Sequence, residues 1–222
     1  MTFVQQCIAD SLPIWEKCLR SEFISSLAEG TLDEDCFKGY IVEDSLYLRE
    51  YARVFAWGIL HANDMEEIRT YYSLLSFVNE AESSTRRYYL ARYNMTDEQI
   101  NALPMRPNAE KYVRIMHESA EHAEGPAECL MACLPCMLSY AWIFKQVLEE
   151  HPGIMDTCYG RFMSDYADNW YFDRCAMWLE AAEKACTDLS EERQAKCLGV
   201  FRACSLCELG FWNMCMEPRT DI

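Results

Sequence analysis

A cysteine placed directly after a helix-interior proline is the most unusual local arrangement in the sequence, Cys133-Leu134-Pro135-Cys136-Met137-Leu138-Ser139-Tyr140. The proline removes one backbone hydrogen bond and presses on the carbonyl of Met131, so a kink is expected there. Cys136 follows it, and Tyr140 lies one turn further along the same face. A thiol opening into such a space suits nucleophilic chemistry if a neighbouring base or donor lowers its pKa. The competing reading is a structural thiol packed beside a tolerated proline.

Two carboxylates stand out for a different reason. Asp44 shares a helical stripe with Tyr40, Tyr47 and Tyr51, and Glu208 lies among Cys204, Cys207, Phe211, Trp212 and Cys215. An acid on an inward helix face must be hydrogen-bonded or paired, because its desolvation otherwise costs several kcal/mol. Each alone reads as a buried structural hydrogen bond. Together, beside tyrosines, they suggest a closed pocket in which aromatics sandwich a flat polar ring and the acids bind its edge.

Metal chemistry finds less support. Cys133/Cys136 and Cys204/Cys207 form two CxxC pairs, and four thiolates can close a zinc site. Both pairs lie in helical apolar runs, however, and 67 residues separate them, far beyond the usual spacing. A redox CxxC wants a strand-to-helix setting that this pattern lacks. Glu118 and His122 could share one face as in a di-iron site, but no second Glu-x-x-His set accompanies them. A solvated helix end fits them better, and no metal or cofactor is expected.

The elements that must position these groups are helical almost throughout. Apolar residues over 2–28 recur at intervals of three, four and seven and end at Gly30, which predicts one first helix. Thr31 or Asp33 then caps a second through Phe55, and Asn63 and Asp64 open a third towards Tyr93. Thr96-x-x-Gln99 is a capping-box pattern for a short helix closed before Pro104. Pro107-Asn108 introduces a helix to about Glu121, and Gly125-Pro126 starts a long apolar one to Glu150. His151-Pro152-Gly153 is the clearest break. Two or three helices follow, the last capped by Ser190. About eight helices with short turns and no internal repeat predict one all-α bundle, a single domain over residues 1–222.

Composition narrows the function further. Thirty-six acids against 20 Lys and Arg give a net charge of −16, which repels phosphate backbones and anionic lipid, so neither nucleic acid nor membrane is an expected partner. An apolar content of 51% excludes a disordered chain. The N-terminus does not read as a signal peptide, and the longest uncharged run, 129–144, falls short of a membrane span. The 13 cysteines are therefore expected as free thiols in a reducing cytosol, most of them packing the core.

Four blocks of the sequence resemble one family. Phe37-x-x-Tyr40-Ile-Val-Glu-Asp44-x-x-Tyr47-Leu48-x-x-Tyr51-Ala52-Arg53 is similar to the second-helix signature of the TenA family, the thiaminase II type aminopyrimidine aminohydrolases. Leu134-Pro135-Cys136-x-x-x-Tyr140 resembles its cysteine motif, Tyr166-Ala167 a later helix start, and Glu208-x-x-Phe211-Trp212 its C-terminal motif. The resemblance implies a haem-oxygenase-like fold, commonly a cytoplasmic homotetramer, and hydrolysis of 4-amino-5-aminomethyl-2-methylpyrimidine to its 5-hydroxymethyl product in thiamin salvage, without a cofactor. Some members also cleave thiamin. By this resemblance Cys136 is the nucleophile, Glu208 the acid/base at a ring nitrogen, and Asp44 the group that holds the aminopyrimidine edge. Tyr47, Tyr112, Tyr140, Tyr166 and Phe211 would stack on the ring or donate hydrogen bonds.

The sequence also departs from that pattern. Glu43 replaces a usual glutamine, an added charge expected to alter pocket binding. The stretch Asn79-Glu80-Ala81-Glu82-Ser83-Ser84-Thr85 lacks a histidine that members often carry. A pyrimidine-binding or regulatory protein that has lost turnover is the alternative.

Overall fold

A computed structural model describes residues 1–167 and 169–222, apart from the side chains of residues 77–83. Asn79 to Ser83, where the family histidine is missing, therefore lie outside the described side chains. Among the described residues the chain forms ten α-helices, one 3₁₀ turn and no strand.

The run expected as one helix over 2–28 is two, α1 (Phe3–Leu19) and α2 (Glu22–Ala28). Ser21 makes the break: its hydroxyl donates to the Cys18 carbonyl at 2.7 Å and accepts from the Ile24 amide at 3.5 Å, capping the second helix. Gly30 closes α2 at φ 71°, a left-handed conformation that favours glycine. Asp33, not Thr31, caps α3 (Glu34–His61) through the Asp35 amide at 2.8 Å. Asp64 caps α4 (Met65–Arg92), and the capping box of Thr96 and Gln99 starts α5 (Asp97–Asn101). Then come α6 (Pro107–Glu121) and α7 (Pro126–Glu150), each with proline in its first turn, where a missing amide costs nothing. The 3₁₀ turn Pro152–Asp156 leads into α8 (Gly160–Ala167), α9 (Asn169–Cys186) and α10 (Glu191–Cys215), the last capped by Ser190. The split N-terminus and the three C-terminal helices raise the count above eight.

α7 is the central element, packed against α10, α9, α3 and α6. It is apolar all round, as a helix enclosed by others must be. Its length and composition alone would suit a membrane span, but most of it is buried inside the bundle. Pro135 does not end it: α7 continues through Cys136 to Glu150, and α1 likewise contains Pro13. Tyr166 and Ala167, expected at a helix start, instead occupy the last turn of α8.

Glu43 is fully buried on the face of α3 away from the pocket described below. Its carboxylate accepts from the Arg106 amide at 2.8 Å, from Arg106 Nε at 3.1 Å and from Arg219 Nη1 at 2.8 Å. Arg219 also donates to the Pro104 carbonyl and to Asp221, while Arg106 donates to the carbonyls of Met214 and Glu217. The added charge thus ties the C-terminal segment to α3 instead of facing a ligand.

Candidate functional site

Five helices bring the predicted residues together. Asp44 and Tyr47 come from α3, Tyr112 from α6, Cys136 and Tyr140 from α7, Tyr166 from α8, and Glu208 and Phe211 from α10. They form two adjoining layers.

The outer layer is a pocket between α3, α4, α7, α8 and α9. Asp44, Cys136, Tyr140 and Tyr166 line it, with Tyr40, Tyr51, Met137, Phe162 and Trp178 completing the apolar wall. The space between these walls, counted out through the open mouth into solvent, is about 620 Å³. Aromatic contacts fix the walls: Tyr140 meets Trp212 at 5.0 Å and Tyr166 at 6.1 Å between ring centroids, and Tyr51 stacks on Trp178 at 6.1 Å. The hydroxyls of Tyr40 and Tyr140 lie 3.4 Å apart.

Behind Cys136 lies the inner layer, closed to solvent. Glu208 accepts a 2.8 Å hydrogen bond from the Tyr112 hydroxyl and is hydrogen-bonded to the Cys136 side chain. Tyr47 packs on Tyr112 at 4.9 Å and on Phe211 at 6.0 Å, and its hydroxyl points to Met116 sulfur at 3.6 Å. Tyr47, Tyr112 and Phe211 therefore support Glu208 and Cys136 from behind, next to the open space.

Burial sets the electrostatics. Glu208 is 2% exposed, and loss of hydration pushes its carboxyl from 4.5 up to about 8. The hydrogen bonds from Tyr112 and Cys136 work against that rise, whereas the nearby charge of Asp44 adds to it. Asp44 is pushed from 3.8 to about 7 by the same desolvation, opposed by the positive charge of Arg86. Two acids in one apolar enclosure thus titrate near neutrality, the condition for moving a proton in either direction.

Cys136 and Cys158 alone among the 13 cysteines are partly exposed; the other 11 are buried. Burial pushes the thiols of Cys133, Cys204 and Cys215 well upward, as expected of inert packing groups. No group of three or more metal-ligating side chains occurs among the described residues. His122 sits at an exposed helix end, its ring nitrogen on the Glu118 carbonyl at 3.0 Å.

Sequence reasoning passed over Thr85, Arg86 and Asp165, which form the polar part of the pocket lining. Thr85 and Arg86 lie in a polar stretch of α4, whereas Asp165 stands between Phe162 and Tyr166 on α8, an acid beside apolar residues whose signal went unread. Only the docking of α8 on α4 turns them towards the pocket.

The model of the TENA/THI-4/PQQC family matches residues 8–218. An aminopyrimidine aminohydrolase from Halalkalibacterium halodurans is 29% identical, over 99% of this chain and 97% of its own. A solved structure from a Silicibacter species, described as a TenA family transcription regulator, superposes with a TM-score of 0.87 at 21% identity, covering 97% of both chains. A domain of unknown function from Shewanella denitrificans, described as having a heme oxygenase-like fold, superposes at 0.77 with 12% identity, over 99% of this chain and 97% of its own. The bundle is thus of the haem-oxygenase-like type.

Proposed function

This chain belongs to the TENA/THI-4/PQQC family, and on that premise we propose that it is an aminopyrimidine aminohydrolase of thiamin salvage, converting 4-amino-5-aminomethyl-2-methylpyrimidine to the 5-hydroxymethyl product. One observation carries the reading: the Tyr112–Glu208–Cys136 hydrogen-bonded chain ends at the pocket that Asp44 also lines. In this reading the protein works as a single domain in a cytoplasmic homotetramer, and its substrate is a small neutral or cationic ring that the net charge of −16 does not repel.

Cys136 adds to an electron-poor carbon of the pyrimidine, with Asp44 hydrogen-bonded to the aminopyrimidine edge. The addition needs a thiolate and a protonated ring nitrogen at once. Glu208 serves both needs: its carboxylate takes the thiol proton, and the resulting acid delivers it to the ring. A carboxyl held near pH 8 by its apolar shell can do this near neutrality. With aromaticity broken, the nitrogen of the 5-aminomethyl arm, carried as an ammonium, leaves as ammonia, and water adds to the exposed methylene carbon and releases a proton. Elimination of the Cys136 thiol then restores the ring, and Glu208 recovers its starting state. The steps are covalent and acid–base throughout and call on no metal or redox group.

The test is release of ammonia from aminomethylpyrimidine, and of thiazole from thiamin, by the purified protein. Turnover that disappears in Cys136→Ser and Glu208→Gln is the expected result. Tight pyrimidine binding with no turnover would replace the enzyme by a binding or regulatory protein of the same fold. Turnover unaffected by Cys136→Ser would remove the nucleophile assignment alone.

A further inference from the structure

The pocket carries one polar group that the proposed reaction leaves without a task. Asp165, in the last turn of α8, lines the same space as Asp44 and Cys136. It is held from α4 by Thr85, a residue only 4% exposed, whose hydroxyl donates to Asp165 Oδ1 at 2.9 Å. A threonine spent on orienting an acid at the wall of a pocket fixes the direction in which that acid accepts.

We infer that Asp165, oriented by Thr85, is a specificity-determining residue that receives a cationic substituent of the substrate, so that the pocket prefers a pyrimidine bearing an ammonium arm over its neutral analogue. This rests on the pocket binding an aminopyrimidine, as proposed above.

The charges around it support the assignment. Arg86 is the cation of the lining, and its guanidinium is drawn outward to Asp97 at 2.7 Å. Arg161, one turn before Asp165, donates to Ser84 at 3.0 Å on the exposed side. The wall therefore presents two carboxylates, Asp44 and Asp165, against one guanidinium already bound elsewhere. A primary ammonium carries three donors, no acceptor and a full positive charge, so it suits an acid of this kind, whereas a hydroxyl arm offers one donor and no charge to pair with the carboxylate. Burial also holds the Asp165 carboxyl above the ordinary range, opposed by Thr85 and Arg161, and an arriving cation offsets that penalty.

The same arrangement favours release of the product. The ammonium arm is the group that is lost, and the hydroxymethyl product lacks the charge that Asp165 recognises. Product should therefore be held less tightly than substrate at this wall.

Calorimetric titration of the purified full chain carrying Cys136→Ser, so that no substrate is consumed, with 4-amino-5-aminomethyl-2-methylpyrimidine and with its 5-hydroxymethyl analogue tests this. Asp165→Asn should weaken the cationic ligand about ten- to a hundredfold, the scale of one hydrogen bond to a charged group, and the neutral one by less than about threefold. Thr85→Val, nearly the same shape, should shift the same ratio in the same direction by less, and it provides the measurement if Asp165→Asn does not fold. In turnover the loss should appear in KM more than in kcat. Equal weakening of both ligands, or none of either, overturns the inference and leaves the proposed reaction standing. A Cys136→Ser chain with Asp165 intact that binds neither ligand overturns both.

Discussion

Tyr112 on α6 and Glu208 on α10 are joined by a 2.8 Å hydrogen bond inside the bundle, and Glu208 links it to Cys136. The bond favours the ionised carboxylate, so it is one of the few forces acting against the desolvation that pushes Glu208 to about 8. Tyr112→Phe removes it and should raise the Glu208 carboxyl further. In the proposed reaction Glu208 enters as the carboxylate that takes the thiol proton, so the acid limb of kcat/KM moves to higher pH in that variant, while turnover near neutrality falls. A pH–rate series on both proteins measures the shift, and an unmoved limb would separate Glu208 from the titration that limits the rate.

The same burial makes stability depend on pH. In the unfolded chain Glu208 has its ordinary value of 4.5, whereas in the folded protein it is raised to about 8. Between those values the folded state holds the proton more tightly, so its contribution is fully present below pH 4.5 and is lost as pH rises through about 8. Glu208→Gln cannot ionise and escapes the penalty. Urea denaturation should therefore find the variant and wild type similar at pH 5, with the variant more stable at pH 8.5 by ~2–5 kcal/mol, a shift of this size being worth about 1.4 kcal/mol per unit. A stabilised but inactive variant is the signature of an acid kept for function.

Glu43 gives a contrasting case, since it is a buried acid with its partners supplied. Arg219→Ala removes one of the acid's two guanidinium partners and leaves Arg106, so it should cost about 1.5–3 kcal/mol, the scale of a hydrogen bond to a charged group. Glu43→Gln should cost less, because Arg219 keeps Asp221 at 2.7 Å. Neither should change KM greatly, since neither residue lines the pocket. Denaturation midpoints and steady-state kinetics on the two variants check both halves, and a large KM change in Glu43→Gln would restore the expectation drawn from the sequence.

Asp44, Glu208 and Cys136 were legible because each broke a local pattern: an acid on an apolar stripe, or a thiol beside a proline inside a helix. The long helices were legible for the related reason that their apolar spacing is regular and their caps are explicit, as at Asp64, Thr96 and Ser190. The break at Ser21 was not, because the apolar periodicity runs straight through it and a serine in mid-run is ordinary. Thr85, Arg86 and Asp165 were hidden by the opposite effect. Thr85 and Arg86 sit in a polar stretch that offers no contrast, Asp165 breaks an apolar run only one turn long, and their role arises from contact between segments 80 residues apart. Glu43 was misplaced because one position along a helix turns a side chain by about 100°, enough to move it from the pocket face of α3 to the far face.

At Gly58 the backbone of α3 packs directly against the Tyr71 ring of α4. A Cβ placed there would lie 2.2 Å from Tyr71 Cε1, and the Tyr71 ring is 2% exposed with its hydroxyl bonded to the Pro126 carbonyl. The ring must shift and strain its hydrogen bond to make room, so Gly58→Ala should lower stability by about 1–3 kcal/mol despite the better helix propensity of alanine. Thermal melts compare the two, and an unchanged or raised midpoint would mean that α4 can slide on α3.

Thiol chemistry separates Cys136 from the rest of the cysteines without any substrate turnover. Only Cys136 and Cys158 are partly exposed, and only Cys136 lines the pocket. Brief alkylation of the native protein with iodoacetamide, followed by mass spectrometry of peptides, should label these two and spare the 11 buried thiols, whose access requires opening of the bundle. Adding saturating pyrimidine should protect Cys136 while leaving Cys158 unchanged, because Cys158 lies outside the lining, in the segment before α8. Protection of both would point to a general tightening of the fold. Protection of neither would mean that the ligand sits away from Cys136, and the nucleophile would have to be sought elsewhere.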